Sequence, residues 1–205
     1  MISTDEAIER ARALATRGRR TLLGITGPPG GGKSTLAKRI ADELAGEAVL
    51  VGMDGFHLAQ VELDRLGRAD RKGALDTFDG AGYVALLRRL RENTADVVYA
   101  PEFRREVEEP INTAVAVPRD VPLVITEGNY LLVDEGPWAQ VRELLDEAWY
   151  VMQDDATRVR LLIARHIEFG KAPDHARDWV MRSDERNAEL IATTRPRADA
   201  LVRIG

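Results

Sequence analysis

One octapeptide governs how this chain folds: Gly27-Pro28-Pro29-Gly30-Gly31-Gly32-Lys33-Ser34 fits the pattern G-x-x-x-x-G-K-[ST]. Its glycines let the backbone wrap an anion closely and turn N–H groups inward, because no Cβ intervenes. Those groups need a helix N-terminus behind them, with its unpaired donors and partial positive charge. The loop therefore demands a strand before it and a helix after it. Thr21–Thr26 (TLLGIT) supplies the apolar strand, and Leu36, Ile40 and Leu44 recur at the spacing of a helix face. Lys33 is placed to neutralise β- and γ-phosphates, and the Ser34 hydroxyl to ligate Mg²⁺. The expected nucleotide-binding set is Gly27, Pro28, Pro29, Gly30, Gly31, Gly32, Lys33, Ser34 and Thr35.

Short apolar runs alternate with helical periodicity along the rest of the chain, as βαβ units and a parallel sheet require. Residues 48–53, 122–126 and 148–152 read as strands, and 201–204 closes the sheet. Residues 97–100 are a strand or the wall of a pocket. Tyr83, Leu86, Leu87 and Leu90 form one helix face; Trp138, Val141, Leu144 and Leu145 form another. Val159, Leu162 and Ile163 mark the inner side of a helix ending near Gly170-Lys171. Pro173 then opens a helix with Trp179, Val180, Leu190 and Ile191 inward. At the N-terminus, Ser3 and Glu6 make a capping box ahead of Ala7, Ala11 and Leu14, which share a face. The expectation is an α/β protein, a three-layer sandwich around a parallel sheet, forming a single domain over residues 1–205.

Charge narrows the partners. With 29 Lys+Arg against 34 Asp+Glu, the net charge of −5 points away from nucleic acid and from anionic membranes. No Cys is present, which removes disulfides, thiolate metal sites and thiol nucleophiles, and fits a reducing cytoplasm. Asp5, Glu6 and Glu9 interrupt the first 20 residues where a signal peptide needs an uncharged core. A cytoplasmic protein acting on a small-molecule substrate is the expectation.

Phosphate binding alone does not specify a reaction. A GTPase requires N-K-x-D, but Asn93, Asn112, Asn129 and Asn187 are followed by Thr, Thr, Tyr and Ala. Two sites compete for the acidic strand end near the metal: Glu127 after VIT, and Asp134-Glu135 after LLV. Glu127 is favoured because Pro122 and a β-branched run define its strand better. Asp54 ends the second strand, at the edge of a doubly wound sheet where substrates bind, placed to take a proton or help hold the metal. Arg158 and Arg165 lie seven residues apart and share a helix face.

The segments MDGFHL, RKGALDTFD (71–79), YAPEFRRE (99–106) and ITEGNYLL (125–132), in that order, resemble the pantothenate kinase, uridine kinase and phosphoribulokinase group. The likeness runs from about Arg20 to Ile204 and is greatest to short bacterial members described as nucleoside/nucleotide kinase-like or fructose-transport-system kinases. It implies the kinase-type P-loop nucleoside triphosphate hydrolase fold with a helical lid near residues 155–190. It also implies use of ATP and Mg²⁺ and, by analogy, a homodimer. Under it Asp54 is the general base, Lys33 and Arg165 complete the catalytic set, and Ser34 and Glu127 serve the metal. Arg195 falls beside the adenine.

The acceptor side departs from the group's patterns. Lys72-Gly73 stands where uridine kinases place an acidic residue for ribose hydroxyls, and Phe103-Arg104-Arg105 stands where pantothenate kinases place an aromatic and a histidine. His57, Lys72, Tyr99, Phe103 and Arg104 are taken as the acceptor-binding set, with Glu102 and Arg105 beside them. The expected acceptor is a nucleoside or similar riboside, with a fructose-type sugar or pantothenate as alternatives. A regulatory ATP-binding protein with slow hydrolysis is the reading from a different class.

Overall fold

The strand that feeds the phosphate loop, β1 (Thr21–Thr26), is buried along its whole length, so the rest of the chain is arranged on both of its faces. The computed structural model describes residues 1–204. Ahead of β1 runs α1 (Thr4–Ala15); after it come α2 (Lys33–Glu43), β2 (Ala48–Gly52), α3 (Gln60–Leu66) and α4 (Gly80–Glu92). There follow β3 (Val97–Arg104), β4 (Glu109–Pro118), β5 (Leu123–Glu127), α5 (Val141–Leu144) and β6 (Glu147–Met152). The chain closes with α6 (Asp155–Glu168), α7 (Pro173–Trp179), α8 (Glu185–Thr194) and β7 (Ala200–Arg203).

Five strands form one sheet in the order β2-β5-β1-β6-β7, and every pairing is parallel. Alternation along the strands divides the apolar residues into two cores. Leu23, Ile25, Ile125 and Trp149 meet α1 and α2 on one face, packing on Ala7, Leu14, Leu36 and Ile40. Leu22, Val124 and Tyr150 join Tyr83, Leu87, Trp138, Val141 and Ile191 on the other. The result is the three-layer α/β sandwich expected. The capping box is also present: the Ser3 side chain accepts from the Glu6 N–H, and Glu6 accepts from the Ser3 N–H.

One expectation is extended and another revised. Residues 97–100 begin a longer strand, β3, which pairs antiparallel with β4 as a separate hairpin. The helix after Pro173 is also interrupted: a wide π-type turn, Val180–Asp184, separates α7 from α8. Among the described residues no helix is long and apolar enough to cross a membrane.

Candidate active site

The phosphate loop takes the backbone its glycines permit. Gly30 and Gly32 have φ of +73° and +85°, a region costly for residues with a Cβ. At Gly30 space is closed as well, because a Cβ would lie 2.9 Å from the Arg158 carbonyl oxygen. Lys33 opens α2 with its side chain buried, and its ammonium donates to the Pro28 carbonyl across the loop at 3.0 Å. Burial lowers the Lys33 pKa to about 8, against the opposing pull of Glu127 and Asp54; Arg165 and Arg158 depress it further. Ser34 Oγ donates to Glu127 Oε1 at 3.1 Å. Thr35, one residue on, is exposed beyond the loop.

β1, β2 and β5 end side by side, which brings Glu127 at the tip of β5 next to the turn after β2. That turn, Met53–Phe56, carries Asp54. Burial raises the Glu127 pKa and the Asp54 carboxylate adds to the rise, while Lys33 and the Ser34 hydroxyl oppose it. Beneath them Thr126 donates to the Val51 carbonyl at 2.7 Å, so its oxygen accepts from the Tyr83 hydroxyl at 2.6 Å. This buried chain ties α4 to the strands that aim Asp54 and Glu127. His57 Nδ1 donates to the Asp54 backbone carbonyl at 2.8 Å, which leaves Nε2 as the acceptor of the neutral ring. Burial lowers the His57 pKa, and its ring packs 4.0 Å from Phe78 and 4.8 Å from Phe103.

The hairpin forms the opposite wall of a cleft of about 390 Å³ that reaches from Lys33 and Ser34 to Lys72. It is seated closely on the Asp54 turn: a Cβ on Gly55 would come within 2.5 Å of the Pro101 carbonyl oxygen. Pro101 lies in a register shift between Ala100 and Glu102, and the shift resets which side chains face inward. Phe103 and Arg105 line the cleft, while Glu102 and Arg104 pair with one another at 2.6 Å on the exposed side. The structure therefore does not bring Arg104 to the acceptor pocket. Nor does it bring Tyr99, which is 52% exposed on the outer face of β3. Arg105 occupies the place expected of Arg104, and a proline within the strand was the sequence signal for that shift. Lys72 does reach the cleft, donating to the Glu108 carbonyl at 2.6 Å and lying 5.5 Å from the Phe103 ring centre.

The helical segment α6–α8 covers the loop and corrects the reading of its arginines. Arg158 is on the inner face with Leu162, not on an outer face opposite it: Arg158 is 2% exposed. Its two terminal nitrogens meet Glu185 at 2.7 and 3.0 Å, its Nε meets Asp155 at 3.0 Å, and it donates to the Pro29 carbonyl at 3.3 Å. It is a structural clamp under the loop. Arg165, on the same side of α6, does enter the cleft, where burial and then Arg105 lower its pKa. His166 beside it meets Asp184 at 2.9 Å. Arg195 borders a second, smaller hollow with Pro28, Tyr150 and Gln153 on the far side of the loop. Among the described residues no three His, Asp or Glu side chains are grouped to hold a metal; hydroxyl and carboxylate oxygens of Ser34, Glu127 and Asp54 are the donors present.

A phosphate loop between a buried parallel strand and a helix, with carboxylates at the neighbouring strand ends, defines the P-loop nucleotide-binding fold in its kinase form. Residues 22–204 match the Phosphoribulokinase / Uridine kinase family, and the chain belongs to it. It is therefore a kinase, a phosphotransferase acting on a hydroxyl of a small molecule. A protein of Schizosaccharomyces pombe named "Putative uridine kinase C227.14" is 34% identical over 178 residues, covering 82% of this chain and 75% of its own. The "ATP-dependent kinase-like protein notR'" of Aspergillus versicolor is 34% identical over 152 residues, 70% of this chain and 88% of that protein. The crystal structure of a "putative fructose transport system kinase" from Silicibacter sp. TM1040 superposes with a TM-score of 0.87 at 30% identity. That match covers 98% of this chain and 99% of the other.

Proposed function

We propose that the chain transfers the γ-phosphoryl group of Mg·ATP to a hydroxyl of a nucleoside or similar riboside. The observation that carries this reading is the convergence of Lys33, the Ser34–Glu127 pair and the Asp54 carboxylate in one cleft at the strand ends. Lys33 and the loop N–H groups hold the phosphates. Ser34 and Glu127 offer the hard oxygen ligands that Mg²⁺ takes. When bound, that ion neutralises phosphate charge.

Asp54 accepts the proton of the attacking hydroxyl as the new O–P bond forms. The bond from the γ-phosphorus to the bridging oxygen breaks, and ADP leaves with that electron pair. Arg165 offsets charge on the transferring group, and α6–α8 serve as the lid above it. Arg195 and its hollow lie on the adenine side. The flat walls of Phe78, His57 and Phe103 suit a stacked ring in the acceptor, which together with the name of the S. pombe relative favours a riboside.

Coupled ADP release from Mg·ATP across nucleosides, sugars and pantothenate tests the reading. One acceptor should elicit turnover, and Asp54→Asn should lower kcat at least 100-fold with the fold intact. Near-normal turnover in Asp54→Asn would sink the base assignment. Slow release indifferent to every acceptor and to Asp54 would leave the regulatory ATPase instead.

A further inference from the structure

Arg105 is poorly satisfied for a guanidinium in a cleft. Its one charged partner is Asp54, at 3.6 Å, beyond hydrogen-bond distance, and its side chain is 38% exposed. Its flat face lies 5.9 Å from the Phe169 ring centre, which orients the donors without engaging them. The side chain of Arg165, the next cation in the cleft, makes no hydrogen bond or ion pair among the described residues. Two guanidiniums therefore share a partly desolvated space and repel one another. The carboxylates nearby are engaged elsewhere: Asp184 with His166, and Glu127 with Ser34.

Two of the cleft's cations stand on the hairpin side: Arg105 is 3.6 Å from Asp54, and Lys72 is 5.5 Å from the centre of the Phe103 ring, which packs 4.8 Å from His57. The hairpin seat at Gly55–Pro101 and the Lys72 bond to Glu108 hold this pair against the aromatic wall.

We infer that the acceptor carries an anionic group, a phosphate or a carboxylate, close to the hydroxyl that reacts, and that Arg105 with Lys72 receives it. The inference rests on the kinase reading and, within it, favours a riboside or other metabolite that bears a phosphate or carboxylate over an uncharged nucleoside. A guanidinium fork matches either anion in two parallel hydrogen bonds. When the anion takes Arg105, Asp54 loses the one arginine within ion-pair distance and its oxygens are left for the hydroxyl. The same negative charge lies between Arg105 and Arg165 and relieves their repulsion.

The experiment uses the full chain saturated with Mg·AMP-PNP, so that the loop is filled. Its Tm is followed against inorganic phosphate and, separately, acetate, with sodium chloride matching the ionic strength. Phosphate or acetate should raise Tm saturably above the chloride control. In Arg105→Ala and Arg105→Gln the half-saturating concentration should rise at least tenfold, Arg105→Lys should recover part of the loss, and AMP-PNP affinity should stay within twofold. A larger effect of phosphate assigns a phosphorylated acceptor; a larger effect of acetate assigns a carboxylated one. No anion effect in the parent protein, or an equal effect in both Arg105 variants, overturns the inference. A loss of AMP-PNP affinity in place of anion affinity also overturns it, by placing Arg105 on the γ-phosphate. Failure of the kinase reading shows separately, as anion binding that persists with no acceptor-dependent ADP release.

Discussion

Lys33 makes nucleotide binding depend on pH in a direction the structure fixes. Without ligand its ammonium titrates at about 8, because it is buried. A bound polyphosphate stabilises the charged form, so the pKa in the complex lies above that value. Well below pH 8 the site already carries its proton and binding takes up almost none. Above pH 8 binding must restore the proton, and affinity falls until the pKa of the complex is reached. For a group at about 8 that stays charged in the complex across this range, uptake is about 0.1 proton at pH 7, about 0.5 at pH 8 and about 0.9 at pH 9. Affinity then drops about tenfold between pH 7 and 9, or about 1.4 kcal/mol. The nucleotide's terminal phosphate ionises near pH 6 and is fully ionised by pH 9, so the uptake read there belongs to Lys33. Calorimetry of metal-free ATP with chelator present, in buffers of different ionisation enthalpy, measures the uptake directly. Lys33→Arg should bind without uptake, since guanidinium does not titrate there. Uptake near zero at pH 9 in the parent protein, or unchanged in Lys33→Arg, refutes the reasoning.

Glu185→Ala leaves the buried Arg158 guanidinium with Asp155 and Pro29 alone; we expect a loss of about 2 kcal/mol, reduced from the fully buried case by the partial exposure of Glu185. For a chain of this size that lowers Tm by roughly 4–8 °C, read by thermal unfolding, and nucleotide affinity should fall with it. Gly30→Ala forces a Cβ against the Arg158 carbonyl at a positive φ, so ATP binding by calorimetry should fall at least tenfold while the circular dichroism spectrum stays native. Tyr83→Phe removes the donor to Thr126 Oγ1 and should cost about 1 kcal/mol in urea unfolding. An unchanged midpoint would show that this bond contributes nothing net.

What the sequence made legible was local. The octapeptide, the strand before it and the helix after it follow from glycine chemistry and one helical period, and the buried β5 is dense enough in β-branched residues to single out Glu127 over Asp134. β4 is illegible because half of its length is exposed and only one residue is fully buried, so EPINTAVAVP shows no inward face until it is paired with β3. Nothing local separates Arg104 from Arg105 either. Only the register shift at Pro101 decides which of two adjacent arginines turns inward. The Arg158–Arg165 spacing was visible, but which face of α6 is buried depends on Glu185, 27 residues further along the chain.

These long-range pairings also explain why three arginines near the loop behave differently. Arg158 has two carboxylates and a carbonyl, so its charge is neutralised within the protein and it can be buried as part of the scaffold. Arg165 and Arg105 have no such enclosure, and Lys33 has only the Pro28 carbonyl as a hydrogen-bond partner. Carboxylates placed on all three would stabilise the free protein and weaken its grip on anions, since any ligand would first have to displace them. The π-type turn before α8 separates the two uses of acid: Asp184 turns to His166 in the cleft and Glu185 to Arg158 beneath the loop. Scaffold charge is thus satisfied internally, while the charge facing the cleft is left for the phosphates and, under the inference above, an anionic acceptor to complete.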